Sequence, residues 1–179
     1  MSILSFECDV FKEQCHTKKC GESSIFNINI DIGNVACKSG EDYEDEECNI
    51  EYKSIFMEGF LENIKKLKQD GHQLFFNSFC GSKREAKVRE EFKKNPEIFN
   101  IIPESNWNFV RNPKKKYEVC IKTSANIMID DKLNICNNIK EHGINYVLWF
   151  NKSTDTPPNG IINVKSWSDI YIEIKKLQI

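Results

Sequence analysis

Segments with the pattern of a β-strand alternate along this chain with segments that have the spacing of an amphipathic helix. Strand-like runs of apolar residues are predicted at residues 25–33, 73–79, 125–129 and 145–150, and weaker ones at 106–111 and 161–164. Such alternation is typical of parallel βαβ units. It predicts an α/β fold, a three-layer αβα sandwich around a central and mostly parallel sheet.

The helices are predicted from apolar spacing and from residues that start or stop a helix. The clearest one covers residues 52–70, where apolar side chains fall on one stripe and Gly71 supplies the stop. Others are predicted at 83–94, closed by Pro96, at 114–124, and at 132–142, stopped by Gly143. Residues 97–106 are interpreted as a connection. The S-x-x-D pattern at 166–169 predicts a final helix, although the alternation at 170–174 also fits a strand.

The length and the charge of the chain limit the classes of protein to which it can belong. Its 179 residues are the size of one domain, and a net charge of −2 gives no overall attraction to nucleic acid or to anionic membranes. Nucleic acid stays possible as a partner but is not indicated, and the oligomeric state is left open. No apolar run is long enough to cross a bilayer, and residues 1–6 are too short for a signal-peptide core. We therefore expect an intracellular, cytoplasmic protein without a membrane partner.

The eight cysteines form no recognisable metal-binding or disulfide pattern, because the sequence contains no C-x-x-C. Residues 1–24 have no clear period and are interpreted as a cysteine-containing extension of a domain that covers residues 25–179. In this extension, His16 and three cysteines offer zinc ligands, although their spacing matches no common zinc motif. The three are Cys8, Cys15 and Cys20. The alternative is a loosely packed arm with free thiols.

Polar side chains occur where the predicted strands end. Asp31 follows the first apolar strand, Ser78 lies at the end of the second, and the pair Asp130-Asp131 follows a later one. In open α/β sheets, ligands bind outside the carboxyl ends of the strands. Each of these residues has a simpler explanation when it is taken alone, as part of a turn or as a helix cap. Lys116, which opens a helix, is explained in the same way as an ordinary surface charge. Together they supply what phosphoryl transfer requires: a carboxylate nucleophile, further carboxylates for Mg²⁺, a hydroxyl and a cation.

In this order and on these elements, the polar residues resemble the motifs of the haloacid dehalogenase-like hydrolase superfamily. The residues that carry the resemblance are Asp31 in Asp31-Ile32-Gly33-Asn34-Val35, Ser78, Lys116 and the pair Asp130-Asp131. Lys114 and Lys115 are adjacent candidates for the motif lysine. Phosphoacceptor receiver domains use the same residue types, but their acidic pair ends the first strand, whereas here it comes last. The resemblance implies that residues 25–179 form a Rossmann-like domain of the hydrolase type.

The resemblance also implies a site for Mg²⁺. Asp31 would be a metal ligand as well as the nucleophile, and the backbone carbonyl of Gly33 would be a second ligand. Asp130 or Asp131 would complete the ligands that the protein supplies. The chemistry is consistent, since Mg²⁺ favours carboxylate and carbonyl oxygens and leaves positions for water and phosphate.

The two remaining motif residues would act on the phosphoryl group. By the same resemblance, Ser78 would hydrogen-bond the phosphoryl oxygens, and Lys116 would offset their charge and keep Asp31 ionised. The chain would then be a Mg²⁺-dependent phosphohydrolase that acts through an aspartyl-phosphate on a phosphomonoester, such as a nucleotide or a phosphorylated macromolecule. Family phosphatases usually carry an acid-base aspartate where this chain has Gly33. The alternative function is therefore a catalytically silent scaffold or binding protein.

Spacing along the chain limits what can cover this site. Between Asp31 and Ser78, the helix at 52–70 and the strand at 73–79 leave residues 34–51 as the stretch in which a cap could be inserted. This stretch contains a run of acidic residues at 41–47 and is too short for a folded cap domain. We expect an acidic loop or a minimal cap, no large cap domain, and a site open to bulky phosphate esters.

Overall fold

A parallel sheet of six strands forms the centre of the structure. We describe residues 24–38 and 55–179 from a computed structural model of the protein. The strands are β1 (Asn27–Ile30), β2 (Gln73–Phe79), β3 (Trp107–Val110), β4 (Ile127–Asp130), β5 (Tyr146–Phe150) and β6 (Ile161–Val164). Their order across the sheet is β3-β2-β1-β4-β5-β6, and all five neighbouring pairs are parallel. The predicted α/β sheet is thus confirmed.

Helices cover both faces of this sheet. They are α1 (Phe60–Gln69), α2 (Ser82–Lys94), α3 (Pro96–Ile101), α4 (Lys116–Lys122), α5 (Leu133–Glu141) and α6 (Trp167–Leu177). Buried side chains of α1, α2, α3 and α6 share one apolar cluster with β1, β2 and β4. Those of α4 and α5 share a second cluster with β4 and β5. Alternate residues of a strand point to opposite faces, so the two clusters lie on the two sides of the sheet and form the predicted three layers.

The order of the strands reverses direction between β1 and β4. From β1 the chain moves outward through β2 to β3, and it then returns to the other side of β1 and continues outward from β4 to β6. Parallel sheets of this kind hold their ligands at the carboxyl ends of the strands beside such a switch point. Ile30 of β1 is level with Ile129 of β4, which brings the residues that follow them, Asp31 and Asp130, to this point together.

The larger apolar cluster is rich in aromatic rings. Phe60 of α1 and Trp167 of α6 meet edge to face with ring centroids 4.9 Å apart, and Phe76 of β2 packs against Phe92 of α2 at 5.2 Å. Fully burying a large apolar side chain stabilises a fold by about 1.5–3 kcal/mol. Trp167 also donates a hydrogen bond from Nε1 to the carbonyl of Val35 at 2.8 Å. The core thereby holds the segment that follows Asp31.

The helix predicted at residues 52–70 is shorter in the structure, where α1 begins at Phe60. Residues 55–57 run instead beside the segment after β1: Phe56 forms an antiparallel bridge with Cys37, and the Met57 amide donates to the carbonyl of Ala36 at 2.9 Å. Gly59 then turns the chain with a φ of 76°, which a side chain rarely adopts. Backbone pairing has overridden the apolar spacing of these residues.

Residues 97–106 are not the irregular connection that the sequence predicted, because α3 occupies their first part. Asn95 caps this helix by accepting from the amides of Glu97 and Ile98, and Pro96 occupies its first turn. Proline at the first helical position is favourable, since its missing amide would have no partner there. The same proline that closes α2 therefore opens a new helix.

The ambiguity at the end of the chain is resolved in favour of a helix. Ser166 caps α6, and its Oγ accepts from the amide of Asp169 at 3.1 Å. The proposed zinc ligands of the extension and the acidic run at 41–47 lie outside the described residues. Among the helices that are described, every one is too short or too polar to span a membrane.

Candidate active site

Asp31 occupies the centre of the carboxyl edge of the sheet. Its amide donates to the carbonyl of Ile129 at 3.0 Å, which continues the pairing of β1 with β4 by one residue. The residue is 7% exposed, although it is a carboxylate at the end of an apolar strand. A buried carboxylate is costly unless it is paired, so its partners define the site.

Lys116 is the cation that pairs with Asp31. Its Nζ lies 2.8 Å from Oδ1 of Asp31 and 2.7 Å from Oδ2 of Asp130. The lysine is itself buried, whereas its neighbours Lys114 and Lys115 are exposed. Of the three candidate lysines, the structure therefore brings Lys116 to the aspartates.

The position of Lys116 depends on the sheet beneath it. A turn of 3-10 helix at Pro113–Lys115 leads into α4, whose first residue is Lys116. Asn77 of β2 donates from Nδ2 to the carbonyl of Lys116 at 2.9 Å, and to Sγ of Cys120 one turn further on at 3.5 Å. A buried asparagine thus ties the start of α4 to β2.

Three carboxylates converge at this edge. Asp31, Asp130 and Asp131 each place one oxygen within 4.8 Å of the others. Oδ1 of Asp130 accepts from the amide of Lys132 at 2.9 Å, and Oδ2 of Asp131 accepts from Nδ2 of Asn34 at 3.3 Å.

One buried oxygen of this group has no partner among the described residues. Oδ1 of Asp131 is buried and has no hydrogen bond within the described part of the chain. A buried carboxylate oxygen needs a donor or a cation, and a cluster of oxygen ligands suits Mg²⁺. The donor set therefore fits this ion, and Asp31, Asp130 and Asp131 are the candidate ligands that the geometry brings together.

Burial and neighbouring charges both shift the pKa values of the ionisable groups at this site. Burial raises the pKa of Asp130 to about 6, against the opposing effect of the Lys116 charge. Burial also raises the pKa of Asp131, and the nearby charge of Asp31 acts in the same direction. For Lys116, burial alone would lower the pKa, but the charges of Asp130 and Asp31 outweigh it and raise the pKa. The lysine therefore stays protonated, and a bound cation would relieve the repulsion among the carboxylates.

Ser78 lies on β2, the strand next to β1. Phe76 is level with Ile30, so Ser78 stands one residue beyond the level of Asp31 at the same edge of the sheet. The serine is buried, and within the described residues no hydrogen bond joins it to Asp31 or Lys116. The structure places Ser78 on the edge where the motif requires it, without direct contact to the charged group.

Gly33 belongs to a tight turn that follows Asp31. The amides of Ala36 and Cys37 both donate to the carbonyl of Ile32, at 3.1 and 2.8 Å. Asn34 adopts a left-handed conformation with a φ of 57°, which asparagine tolerates better than most residues. The turn fixes Asn34 against Asp131, and Gly33 within it forms a bridge with Cys37.

Sequence reasoning missed the buried polar residues that connect the sheet to α4, the helix that begins with Lys116. Asn29 of β1 donates from Nδ2 to Sγ of Cys120 at 3.6 Å, and its Oδ1 accepts from Oγ1 of Thr123 at 3.0 Å. With Asn77 of β2, it links two neighbouring strands to α4. The signal was present in the sequence as asparagines that alternate with apolar residues, because an amide in a buried strand needs partners from another element.

Two surface cavities lie near the carboxyl edge, and the smaller one adjoins the carboxylates. It measures about 300 Å³ and is lined by Asn34, Met57, Asp131, Phe150, Asn151 and Lys152. The larger, about 380 Å³, lies along β3 between α2 and α4, and none of the aspartates lines it. We assign functional weight to the smaller cavity because Asp131 forms part of its wall.

Several solved structures share this fold. A D,D-heptose 1,7-bisphosphate phosphatase from B. bronchiseptica, solved with magnesium and phosphate, has a TM-score of 0.64 at 11% identity and aligns over 86% of this chain and 99% of its own. A haloacid dehalogenase-like family hydrolase from Xanthomonas campestris has a TM-score of 0.64 at 10% identity, over 88% and 97%. A D,D-heptose 1,7-bisphosphate phosphatase from Burkholderia thailandensis has a TM-score of 0.56 at 11% identity, over 83% and 97%.

The sequence itself matches no protein-family model and no curated protein. The structural likeness nevertheless extends over nearly the whole of each of the three proteins. The chain therefore has the fold of the haloacid dehalogenase-like hydrolases, as its sequence motifs predicted.

Proposed function

We propose that the protein is a Mg²⁺-dependent phosphohydrolase that cleaves a phosphomonoester through an aspartyl-phosphate on Asp31. The observation that carries the proposal is the buried Lys116, which bridges Asp31 and Asp130 at 2.8 and 2.7 Å beside the third carboxylate, Asp131. A buried cation between two carboxylates is a costly arrangement that an apolar core would not need. Its presence at the switch point of the sheet is explained by a substrate that brings negative charge.

The proteins of the same fold support the reaction class. One is a phosphatase solved with magnesium and phosphate, and another is a haloacid dehalogenase-like family hydrolase. Fold alone does not define an activity, so the proposal rests on the residues at the site. The substrate we propose is accordingly a phosphorylated small molecule or macromolecule.

Asp31, Asp130 and Asp131, with the carbonyl of Gly33, would hold Mg²⁺. When bound, the ion would draw negative charge from the phosphoryl oxygens and so assist the transfer of the phosphoryl group. Lys116 contacts Oδ1 of Asp31, which leaves Oδ2 as the attacking atom. Its charge also compensates that of the incoming phosphoryl group.

The covalent steps can be assigned to this chain's own atoms. In the first step, a bond forms between Oδ2 of Asp31 and phosphorus while the bond from phosphorus to the ester oxygen breaks, and the leaving oxygen takes up a proton from solvent. In the second, the oxygen of a water molecule bonds to phosphorus while the bond from phosphorus to Oδ2 of Asp31 breaks. The water gives a proton to solvent, and inorganic phosphate and free Asp31 are the products. Ser78, at the neighbouring strand end, would hydrogen-bond a phosphoryl oxygen in both steps.

Gly33 favours a second candidate function, a binding protein that keeps the fold without turnover. An acid-base group typically contributes about 10²–10⁴-fold in rate, and this chain has no carboxylate at that position of the turn. The variant Gly33→Asp separates the two functions. A phosphohydrolase that only lacks the acid-base group should gain rate with this substitution, whereas a silent scaffold should stay inactive.

The direct test compares the wild type with Asp31→Asn, a substitution of nearly equal size that removes the nucleophile. Hydrolysis of phenyl phosphate is measured with Mg²⁺ and with excess EDTA. We expect Mg²⁺-dependent phosphate release by the wild type and none above background by Asp31→Asn. Equal rates for the two proteins, or a rate that EDTA leaves unchanged, would overturn the proposed function.

A further inference from the structure

The smaller cavity beside Asp131 is lined by both apolar and polar side chains. Met57 and Phe150 supply apolar surface, while Asn34, Asn151 and Lys152 supply polar groups. Asn34 hydrogen-bonds Oδ2 of Asp131, so the cavity begins where the carboxylate cluster ends. A group attached to a phosphate at the cluster would enter this space.

The backbone around Lys152 is held in a defined position. The amide of Asn151 donates to the carbonyl of Val164 in β6 at 2.9 Å, and its Oδ1 accepts from the amide of Ser153 at 2.9 Å. Trp149, two residues earlier, donates from Nε1 to the carbonyl of Asp131 at 3.0 Å. The end of β5 is thereby tied both to the carboxylate cluster and to the next strand.

Lys152 is an exposed cation to which the described residues supply no counter-charge. Within residues 24–38 and 55–179 it forms no ion pair, whereas Lys65, Lys66, Lys94 and Lys176 each pair with a nearby glutamate. Its ammonium group is therefore free to meet an anion that enters the cavity.

The charge of the carboxylate cluster explains why a further cation matters. Three aspartates and Lys116 leave an excess of two negative charges, which one divalent ion offsets. With the ion bound, the cluster carries no net positive charge, so it leaves none for a second anionic group on the same substrate. Such a group would need a cation outside the cluster, and among the described residues Lys152 is the one that lines the adjoining cavity.

We propose that this cavity binds the leaving group of the substrate and that Lys152 selects phosphomonoesters whose leaving group carries a second anionic group. The inference rests on the proposed function and adds the charge of the substrate to it. The apolar surface of Met57 and Phe150 contacts the carbon skeleton, and Lys152 pairs with a carboxylate or phosphate at its far end.

The experiment uses three small esters that differ mainly in the charge of the leaving group: glycerol 1-phosphate, 3-phosphoglycerate and phosphocholine. The wild type should show its highest kcat/KM for 3-phosphoglycerate. Lys152→Met should lower that value about three- to fivefold and change the value for glycerol 1-phosphate less than twofold, since one exposed charge pair is lost. Lys152→Glu should shift the preference toward phosphocholine.

Lys68→Met is the matched control, because Lys68 is an exposed lysine of α1 that likewise forms no ion pair among the described residues. It should leave all three kcat/KM values unchanged. Suppose that the wild type is active and that both Lys152→Met and Lys152→Glu keep its ratios of kcat/KM among the three esters. This result would overturn the inference but not the proposed function. A wild type that releases no phosphate from phenyl phosphate would overturn the proposed function, and the inference with it.

Discussion

The two faces of the sheet are built from different kinds of residue. On one face, α1, α2, α3 and α6 enclose an apolar core that includes the rings of Phe60, Phe76, Phe92 and Trp167. On the other, a smaller cluster of aliphatic residues, two cysteines, a methionine and a tryptophan lies under α4 and α5, and buried asparagines of β1 and β2 connect the sheet to α4. We conclude that the first face chiefly stabilises the fold, whereas the second chiefly positions Lys116.

The largest expected effect comes from removing the cation of the second face. Lys116→Met leaves Asp31 and Asp130 buried without their counter-charge. Breaking a buried pair in this way costs about 3–5 kcal/mol of stability, and the loss of one electrostatic group at a reacting centre costs about 10²–10³-fold in rate. Urea unfolding and phenyl phosphate hydrolysis measure the two effects.

Lys115→Met is the control for this prediction, since Lys115 is exposed and, among residues 24–38 and 55–179, pairs only with Glu118, at 3.4 Å. It should change neither quantity appreciably. Equal behaviour of the two methionine variants would show that the buried lysine has no special part in the site.

The first face should respond in stability alone. Phe92→Ala removes a ring that packs against Phe76 and Trp107 in the apolar cluster, and truncation of a buried phenylalanine costs about 3–5 kcal/mol. The activity of the molecules that stay folded should not change. Phe99→Ala, at a residue that is 41% exposed, should cost much less. A fall in kcat for folded Phe92→Ala would contradict the division between the faces.

Asn77 tests how far the second face acts through position. Asn77→Ala removes a buried donor to the carbonyl of Lys116 and should cost about 1–3 kcal/mol of stability. Because Lys116 then loses its support, kcat should fall about tenfold with little change in KM. Asn108→Ala on β3, which removes a donor to the carbonyl of Phe76, should leave kcat intact. A loss of stability without a loss of kcat in Asn77→Ala would reduce its role to packing.

The smallest expected effect is the stabilisation of the fold by metal. Mg²⁺ at ten times its dissociation constant should stabilise the folded wild type by about 1.4 kcal/mol, which thermal unfolding detects. Asp131→Asn should lose most of this gain, because it removes charge from the carboxylate that holds an unpartnered oxygen. An equal rise in Tm for both proteins would place the ion elsewhere.

The fold and the outline of the site could be predicted from sequence because both depend on local signals. Apolar strands that end in Asp31 and Asp130 place these aspartates at the carboxyl edge of any parallel sheet, and an S-x-x-D pattern predicts the start of α6. The segment before α1 could not be predicted in the same way. Its pairing with Ala36 and Cys37 is a contact between residues distant in the chain, which apolar spacing does not encode.

The supporting residues of the site were hidden for a related reason. Asn77 was visible beside Ser78, but its function depends on α4 packing over β2, nearly forty residues further along the chain. Which of Lys114, Lys115 and Lys116 reaches the aspartates depends on the residue at which the 3-10 turn ends and α4 begins. Such choices follow from tertiary packing, and the sequence alone leaves them open.

The central claim, that Asp31 is the nucleophile, is tested most directly by trapping the phosphorylated protein. Wild type and Asp31→Asn are mixed with Mg²⁺ and phenyl phosphate, quenched in acid during turnover, and digested for mass spectrometry. The account predicts a phosphoryl group on the wild-type peptide that contains Asp31, and no phosphorylated peptide from Asp31→Asn. A phosphoryl group on another residue, or turnover by Asp31→Asn at the wild-type rate, would contradict it.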